Sequence, residues 1–321
     1  MVHRDLAIST LTSGCLDMYL IHNRLVEILV CPACGSKLRQ EILSAERKDG
    51  VLVCDNGHWY PIERGLPRIL LGQFRQDYSH FAKLYEAELA SMHLASEGTL
   101  VAGLGSRQVQ DTFREKWTSI DTMGVADSSP YKSFMRDWML KKYGWREEQV
   151  FRQAMTGKRL ILDAGTGLGR ETINLAKACE TSTVIGIELS DCAVNALRNV
   201  SGLPNAYVIQ SDILAMPFRK SCFDFVLSEG VLHHTPNPRD AFRKCCDVLK
   251  KGGEIAFYVY RRKGPAREFT DDYLREIMQK ASTKEKWDLA DRITQLGRAL
   301  SQLKTSVQIP VDIPELGIRK G

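Results

Sequence analysis

Long uncharged stretches are missing from this chain. Nowhere among its 321 residues do about eighteen consecutive residues go without a charge, as a membrane-crossing helix requires. Charge imbalance is missing too. Lys and Arg number 44 against 39 Asp and Glu, and the net +5 tolerates an anionic partner without the lopsidedness of most nucleic-acid binders. A secretory signal is also wanting. "LTSGC", ending at Cys15, has Thr12 where a lipoprotein processing site wants a large aliphatic residue, and Asp5 and Asp17 flank the short apolar stretch. Residues 1–24 are expected to form a flexible leader, with Met18 as an alternative start.

Cysteine, by contrast, is present nine times. A chain of this length can bury a core without disulfide staples, so a reducing, cytoplasmic setting is expected. Cys15, Cys179, Cys192, Cys222, Cys245 and Cys246 are scattered, the last two in an amphipathic helical pattern with Phe242 and Leu249 that reads as core. The remaining three accompany a histidine: "CPACG" supplies Cys31 and Cys34, and "CDNGH" supplies Cys54 and His58. Four soft or borderline ligands in two pairs suit tetrahedral zinc, and with no ligand position left open the ion would be structural. So small a module needs that ion for its folding energy. A redox C-x-x-C is the alternative, but it leaves Cys54 and His58 unexplained and lacks a surrounding βαβ pattern. With "YPIERGLPRILL", residues 25–71 resemble the zinc ribbon of the methyltransferase-activating protein of translation systems. The ligand set also resembles the zinc module of bacterial guanine-modifying 23S ribosomal RNA methyltransferases. The resemblance implies a methyltransferase partner, here in the same chain.

Residues 72–150 form a helical linker or cap region. "SHFAKLYEAELASMHL" has helical spacing, and the lone G-x-G of "GTLVAGLGSRQ" (98–108) reads as linker. Phe113, Trp117, Tyr131, Phe134 and Trp138 either pack a core or cap a small-molecule cleft.

From "RLILDAGTGLGR" onward, strands rich in β-branched residues alternate with helices, which predicts an α/β, Rossmann-like, doubly wound parallel sheet with its ligand beyond the strands' carboxyl ends. The turn after the first strand departs from the dinucleotide fingerprint: Gly165 and Gly167 fit, but the third position is Arg170. It also lacks the Gly-Lys-Ser/Thr of a P-loop. Asp163, just before the turn, repels a phosphate and suits a cation. S-adenosylmethionine carries positive charge and no phosphate.

"LDAGTGLGR", "GIELS", "QSDILAMPF" and "EGVLHHTPNP" together resemble class I S-adenosylmethionine-dependent methyltransferases across residues 159–260, closest to the small-molecule methyltransferase subgroup. The resemblance implies that Asp163, Gly165, Gly167 and Gly169 line the cofactor's amino-acid part and that Glu188 binds its ribose. It likewise implies Asp212 at the adenine amino group, Ile213 on the ring, and Ser228 and Glu229 beside the methyl group. His233 and His234 follow the fourth strand, either as general base or as structural hydrogen-bonders. The expected cofactors are S-adenosylmethionine and structural zinc.

A small-molecule acceptor is expected, since the Asn/Asp/Ser-Pro-Pro-aromatic motif of amino-group methylation on bases is absent. The ribbon points toward RNA, and "RRKGPAR" (261–267) forms either a solvated rim or an anion-receiving edge. Residues 151–265 thus read as the cofactor-binding domain. Residues 266–321 read as a helical extension where the family has two further strands, with Thr270 capping one helix and Ser282 with Glu285 boxing the next. That departure keeps open a second reading, a truncated or inactive relative acting as a zinc-ribbon binding module.

Overall fold

The computed structural model describes residues 20–94, 107–119, 131–261, 265–304, 308 and 310–312. The leader through residue 19, most of "GTLVAGLGSRQ" and the segment 313–321 lie outside the described residues, as do the side chains of Trp117 and Tyr131.

Two compact units divide at residue 259. The described part of the first begins with a single helical turn, α1 (Asn23–Val26), and four strands, β1 (Leu38–Ser44), β2 (Asp49–Cys54), β3 (Trp59–Glu63) and β4 (Leu66–Ile69). These pair antiparallel in succession. Arg64 and Gly65, both at positive φ (50° and 81°), join β3 to β4, the backbone pattern a two-residue hairpin loop requires. Helices α2 (Ser79–Leu84), α3 (Glu86–Ser91), α4 (Arg107–Ser119), α5 (Tyr131–Lys142) and α6 (Glu148–Met155) come next. The expected continuous helix over "SHFAKLYEAELASMHL" breaks at Tyr85, whose hydroxyl is drawn 2.7 Å from the buried carboxylate of Asp49.

The alternating part follows the expected order: β5 (Leu160–Ala164), α7 (Arg170–Ala178), β6 (Thr183–Glu188), α8 (Ala193–Val200), β7 (Ala206–Ser211), β8 (Phe223–Glu229), α9 (Pro238–Val248) and β9 (Leu249–Tyr258). β6 and β8 flank β5, β7 lies beyond β6, and β9 beyond β8, all parallel. β5 to β8, buried at most of their positions, carry the nearly unbroken apolar runs of strands covered on both faces. The outermost strand β9 is half-exposed to exposed along its length.

The ribbon is not a separate bead. β4 pairs in parallel with β7, Arg68 opposite Gln210 and Ile69 opposite Ser211, giving one nine-stranded sheet in the order β1-β2-β3-β4-β7-β6-β5-β8-β9. One hydrophobic cluster holds Leu25, Leu29, Tyr60 and Ile62 of the ribbon together with Leu162, Ile185, Phe218 and Phe223. Backbone bonds from Val30 N to Pro217 O (2.9 Å) and Arg219 N to Ile28 O (3.0 Å) add a second seam.

The second unit contains α10 (Pro265–Gln279) and α11 (Thr283–Ser301), and among the described residues no strand follows β9. The Ser282–Glu285 capping box is formed. Thr270 is not a cap: α10 opens five residues earlier at Pro265, whose fixed φ suits a first helical position. Cys245 is buried as expected, whereas Cys246, one residue further round α9, is exposed.

Candidate functional site

At the carboxyl end of β5 the chain turns through Gly165 at φ +92°. A Cβ there would fall 2.5 Å from both Val231 methyls, so the turn and the segment after β8 approach as only glycine permits. Gly169, at φ +90°, is the residue before α7, and a Cβ would press to 3.4 Å on the Ala196 carbonyl and Val200 of α8. It fills the helix-packing role of a third fingerprint glycine, and it is absent from the cleft wall.

The cleft beyond β5 is lined by Asp163, Gly165, Gly167, Glu188, Asp212, Ile213, Glu229 and His234. Asp163 is buried, accepts a 2.8 Å hydrogen bond from the Thr172 hydroxyl, and has its pKa pushed by burial up to about 7. Thr166 and Thr172 share a further 2.8 Å hydrogen bond. Glu188 accepts from Gly167 N (3.0 Å) on one oxygen and from Ser190 N (2.9 Å) and Oγ (2.6 Å) on the other. Burial raises its carboxyl against the pull of those donors. Asp212 caps the short turn after β7 by accepting from Leu214 N at 2.9 Å, with Ile213 next in sequence on the wall.

Ser228 is elsewhere: fully buried, it donates to the Ala164 carbonyl at 3.0 Å and clamps the tips of β5 and β8 together. Of the two histidines, His234 is on the wall. The His233 ring packs against it at 4.0 Å between centroids, tilted by 46°, and burial lowers the His233 pKa. Phe113 of α4 also lines the cleft and meets the His234 ring edge-on at 4.9 Å. Of the five aromatic residues singled out, Phe134 is exposed and Trp138 packs edge-on to Tyr258.

Sequence reasoning missed the groups behind Glu229. Tyr143 donates to its Oε2 at 2.6 Å, and Lys142 pairs with Oε1 while lying over the rings of Trp138 (3.5 Å) and Tyr258 (4.2 Å). Burial lowers the Lys142 pKa and raises that of Tyr143. No spacing signals a partnership across nearly ninety residues of sequence; the register of α5 against β8 creates it. Among the described residues of the wall, Asp163, Glu171, Glu188, Asp212 and Glu229 accompany a single guanidinium, Arg170, which is engaged with Glu171 at 2.7 Å. That donor set fits a ligand with positive charge and hydroxyls to donate, and opposes a pyrophosphate.

In the ribbon, Cys31, Cys34, Cys54 and His58 converge with their ligand atoms within 4.8 Å of one another. Cys31 Sγ to His58 Nδ1 is 3.4 Å, Cys54 Sγ to His58 Nδ1 3.5 Å, and Cys34 Sγ to Cys54 Sγ 3.7 Å. Bond lengths of about 2.0–2.3 Å around a tetrahedral zinc give edges of this size, so the residues fit the ion. Tyr60 adds a hydroxyl 3.1 Å from the Cys31 sulfur, a second-sphere donor to a thiolate.

Two family models match. Residues 162–257 match the methyltransferase domain, and residues 22–65 match the Trm112p-like protein family. The chain carries a methyltransferase domain. Among curated relatives, the ubiquinone biosynthesis O-methyltransferase of Pseudomonas putida is 31% identical over 129 residues, 39% of this chain and 53% of that protein. The phthiotriol/phenolphthiotriol dimycocerosates methyltransferase of Mycobacterium leprae is 24% identical over 131 residues, 41% of this chain and 48% of that protein. The chain spans about half the length of the curated relatives it matches. Among solved structures, an S-adenosylmethionine-dependent methyltransferase from Aquifex aeolicus shares 22% identity over 47% of this chain and 77% of its own, with a TM-score of 0.36. The methyltransferase-domain match contains every cleft carboxylate named above. No described helix is long and apolar enough to cross a membrane.

Proposed function

We propose that the chain is an S-adenosylmethionine-dependent methyltransferase that methylates an O, N or C nucleophile of a small molecule, with a structural zinc ion in its ribbon. The observation that carries this is the coincidence of the methyltransferase-domain match with a cleft whose described wall holds five carboxylates and one engaged arginine. The cofactor, when bound, supplies a methyl group already activated on a sulfonium. The chain's own residues bind and orient: Glu188 accepts from the ribose hydroxyls, Asp212 from the adenine amino group, and Ile213 packs on the base. Asp163 and the glycine turn receive the cationic amino-acid end.

Catalysis then depends on bringing the acceptor into line and, where the nucleophile is protonated, removing its proton. His234, on the wall, is the candidate base, with the tilted His233 ring packed against it to orient the imidazole. Glu229, braced by Lys142 and Tyr143, is the candidate acceptor-orienting carboxylate. Phe113 and Val231 give the same end an apolar surface suited to a compact acceptor. A polyanionic RNA acceptor is disfavoured by the excess of carboxylates around the reaction point.

Calorimetric titration of the zinc-loaded chain with S-adenosylmethionine and its demethylated product, beside NADH and a Glu188→Ala variant, tests this reading. Micromolar binding lost in the variant supports it and opens a screen of small-molecule acceptors. No binding of any of the three would sink it.

A further inference from the structure

Taking the cleft as a site for S-adenosylmethionine, we infer that Arg68 of the zinc ribbon is a positioning residue for the helix that covers that cleft. The connection runs through Asp191. From β4, Arg68 reaches in three directions: Nε to Gln210 Oε1 at 2.6 Å, one terminal nitrogen to Glu63 at 2.7 Å, and the other to Asp191 Oδ1 at 3.2 Å. The second Asp191 oxygen pairs with Arg114 Nε of α4 at 3.0 Å. Thus one carboxylate joins the ribbon to α4.

A parallel link uses a backbone carbonyl. Leu189 O accepts from Gln210 Nε2 at 3.1 Å and from Gln110 Nε2 of α4 at 3.2 Å. Leu189 lies between Glu188, which lines the cleft, and Ser190, which holds the Glu188 carboxylate. One turn of α4 therefore presents Gln110 and Arg114 to the segment 189–191 while Val109 and Phe113 wall the cleft. The Arg68 side chain is only 13% exposed, so its guanidinium keeps a fixed direction that a flexible lysine would not reproduce.

Arg68 has a plainer role, tying β4 to β7, and that role predicts loss of stability alone. Positioning predicts loss of ligand affinity through Asp191. The test is calorimetric binding of S-adenosylhomocysteine to Arg68→Ala, Arg68→Lys, Asp191→Ala, Arg114→Ala and the double variant Arg68→Ala/Asp191→Ala, each zinc-loaded and measured well below its melting temperature. Arg68→Ala is expected to weaken binding about three- to tenfold, Arg68→Lys to restore little of it, and the substitution to cost clearly less once Asp191 is alanine, the remainder passing through Gln210 to the Leu189 carbonyl. An Arg68→Ala affinity equal to wild type, or the same fold-loss in the Asp191→Ala background, would overturn the inference. Should Arg68→Ala not fold, Arg114→Ala carries the test from the other end of the same carboxylate: unchanged affinity there overturns it equally. Failure of the wild type to bind the ligand would instead remove the cofactor reading on which the inference rests.

Discussion

Thr172 donates its hydroxyl to Asp163 at 2.8 Å, a hydrogen bond from the first turn of α7 back to the carboxyl end of β5 beside the glycine loop. It offsets in part the burial that raises the Asp163 pKa from 3.8 to about 7. In the apo chain Asp163 therefore keeps a proton that the unfolded chain has lost. Its stabilising contribution is full below the unfolded value of 3.8 and disappears as pH rises through about 7. A cationic ligand prefers the ionised form. S-adenosylmethionine should therefore release protons on binding at about pH 6 and bind more tightly as pH rises to about 8. Titration in buffers of different ionisation enthalpy measures the release. Asp163→Asn should remove it, and a wild-type affinity flat with pH would contradict the assignment of Asp163 to the cation.

Glu188 offers a second test, because its two oxygens are already oriented by Gly167 and Ser190. Glu188→Gln replaces one acceptor oxygen with a donor that faces other donors. Charge-assisted hydrogen bonds of this kind contribute about 1.5–3 kcal/mol, so cofactor affinity should fall roughly 10–100-fold. Equal affinity in the variant would place the ribose elsewhere.

How much of this was legible beforehand depended on the range of the interaction. The zinc set and the glycine turn announce themselves through short spacings, because a metal ion and a tight turn each constrain neighbours in sequence. The order of strands and helices from residue 159 onward was equally readable from period and composition. Ser228, which the resemblance implies beside the methyl group, spends its hydroxyl on the Ala164 carbonyl, a bond between neighbouring strands that no motif announces. The pairing of β4 with β7, the Lys142–Glu229 contact and the Arg68–Asp191 bridge each join residues more than eighty positions apart. Only the packed tertiary structure specifies them.

Gly165→Ala should disable the turn. The substitution strains a backbone at φ +92° and drives a methyl against Val231, costing about 1–3 kcal/mol. Val231→Ala in the same chain should recover part of the stability lost to the clash and none of that lost to the backbone. Urea unfolding of the single and double variants separates the two contributions.

The metal cluster shares its hydrophobic surroundings with the methyltransferase domain, since Cys31 and Cys54 belong to the same buried cluster as Leu162 and Ile185. Stripping zinc should therefore destabilise the whole first unit, not the ribbon alone. We expect one zinc per chain by elemental analysis. Chelation or Cys54→Ser should lower the melting temperature on the order of 10 °C in a single broadened transition. Two well-separated transitions would mean that the ribbon unfolds independently.

Lys142 and Glu229 form the last test, with side chains 13% and 10% exposed. Removing one member of so shielded a pair leaves the other charge buried without its counter-ion. Lys142→Met should therefore cost about 3–5 kcal/mol, and it also removes the ammonium that lies over the Trp138 and Tyr258 rings. Glu229→Gln added to Lys142→Met removes the stranded charge and keeps an acceptor for the Tyr143 hydroxyl, so stability should recover most of the way. Chemical denaturation of the four proteins in the cycle gives the coupling between the two sites. A double variant as unstable as the sum of the singles would show that Lys142 acts through its ammonium over the Trp138 and Tyr258 rings and not through its pairing with Glu229.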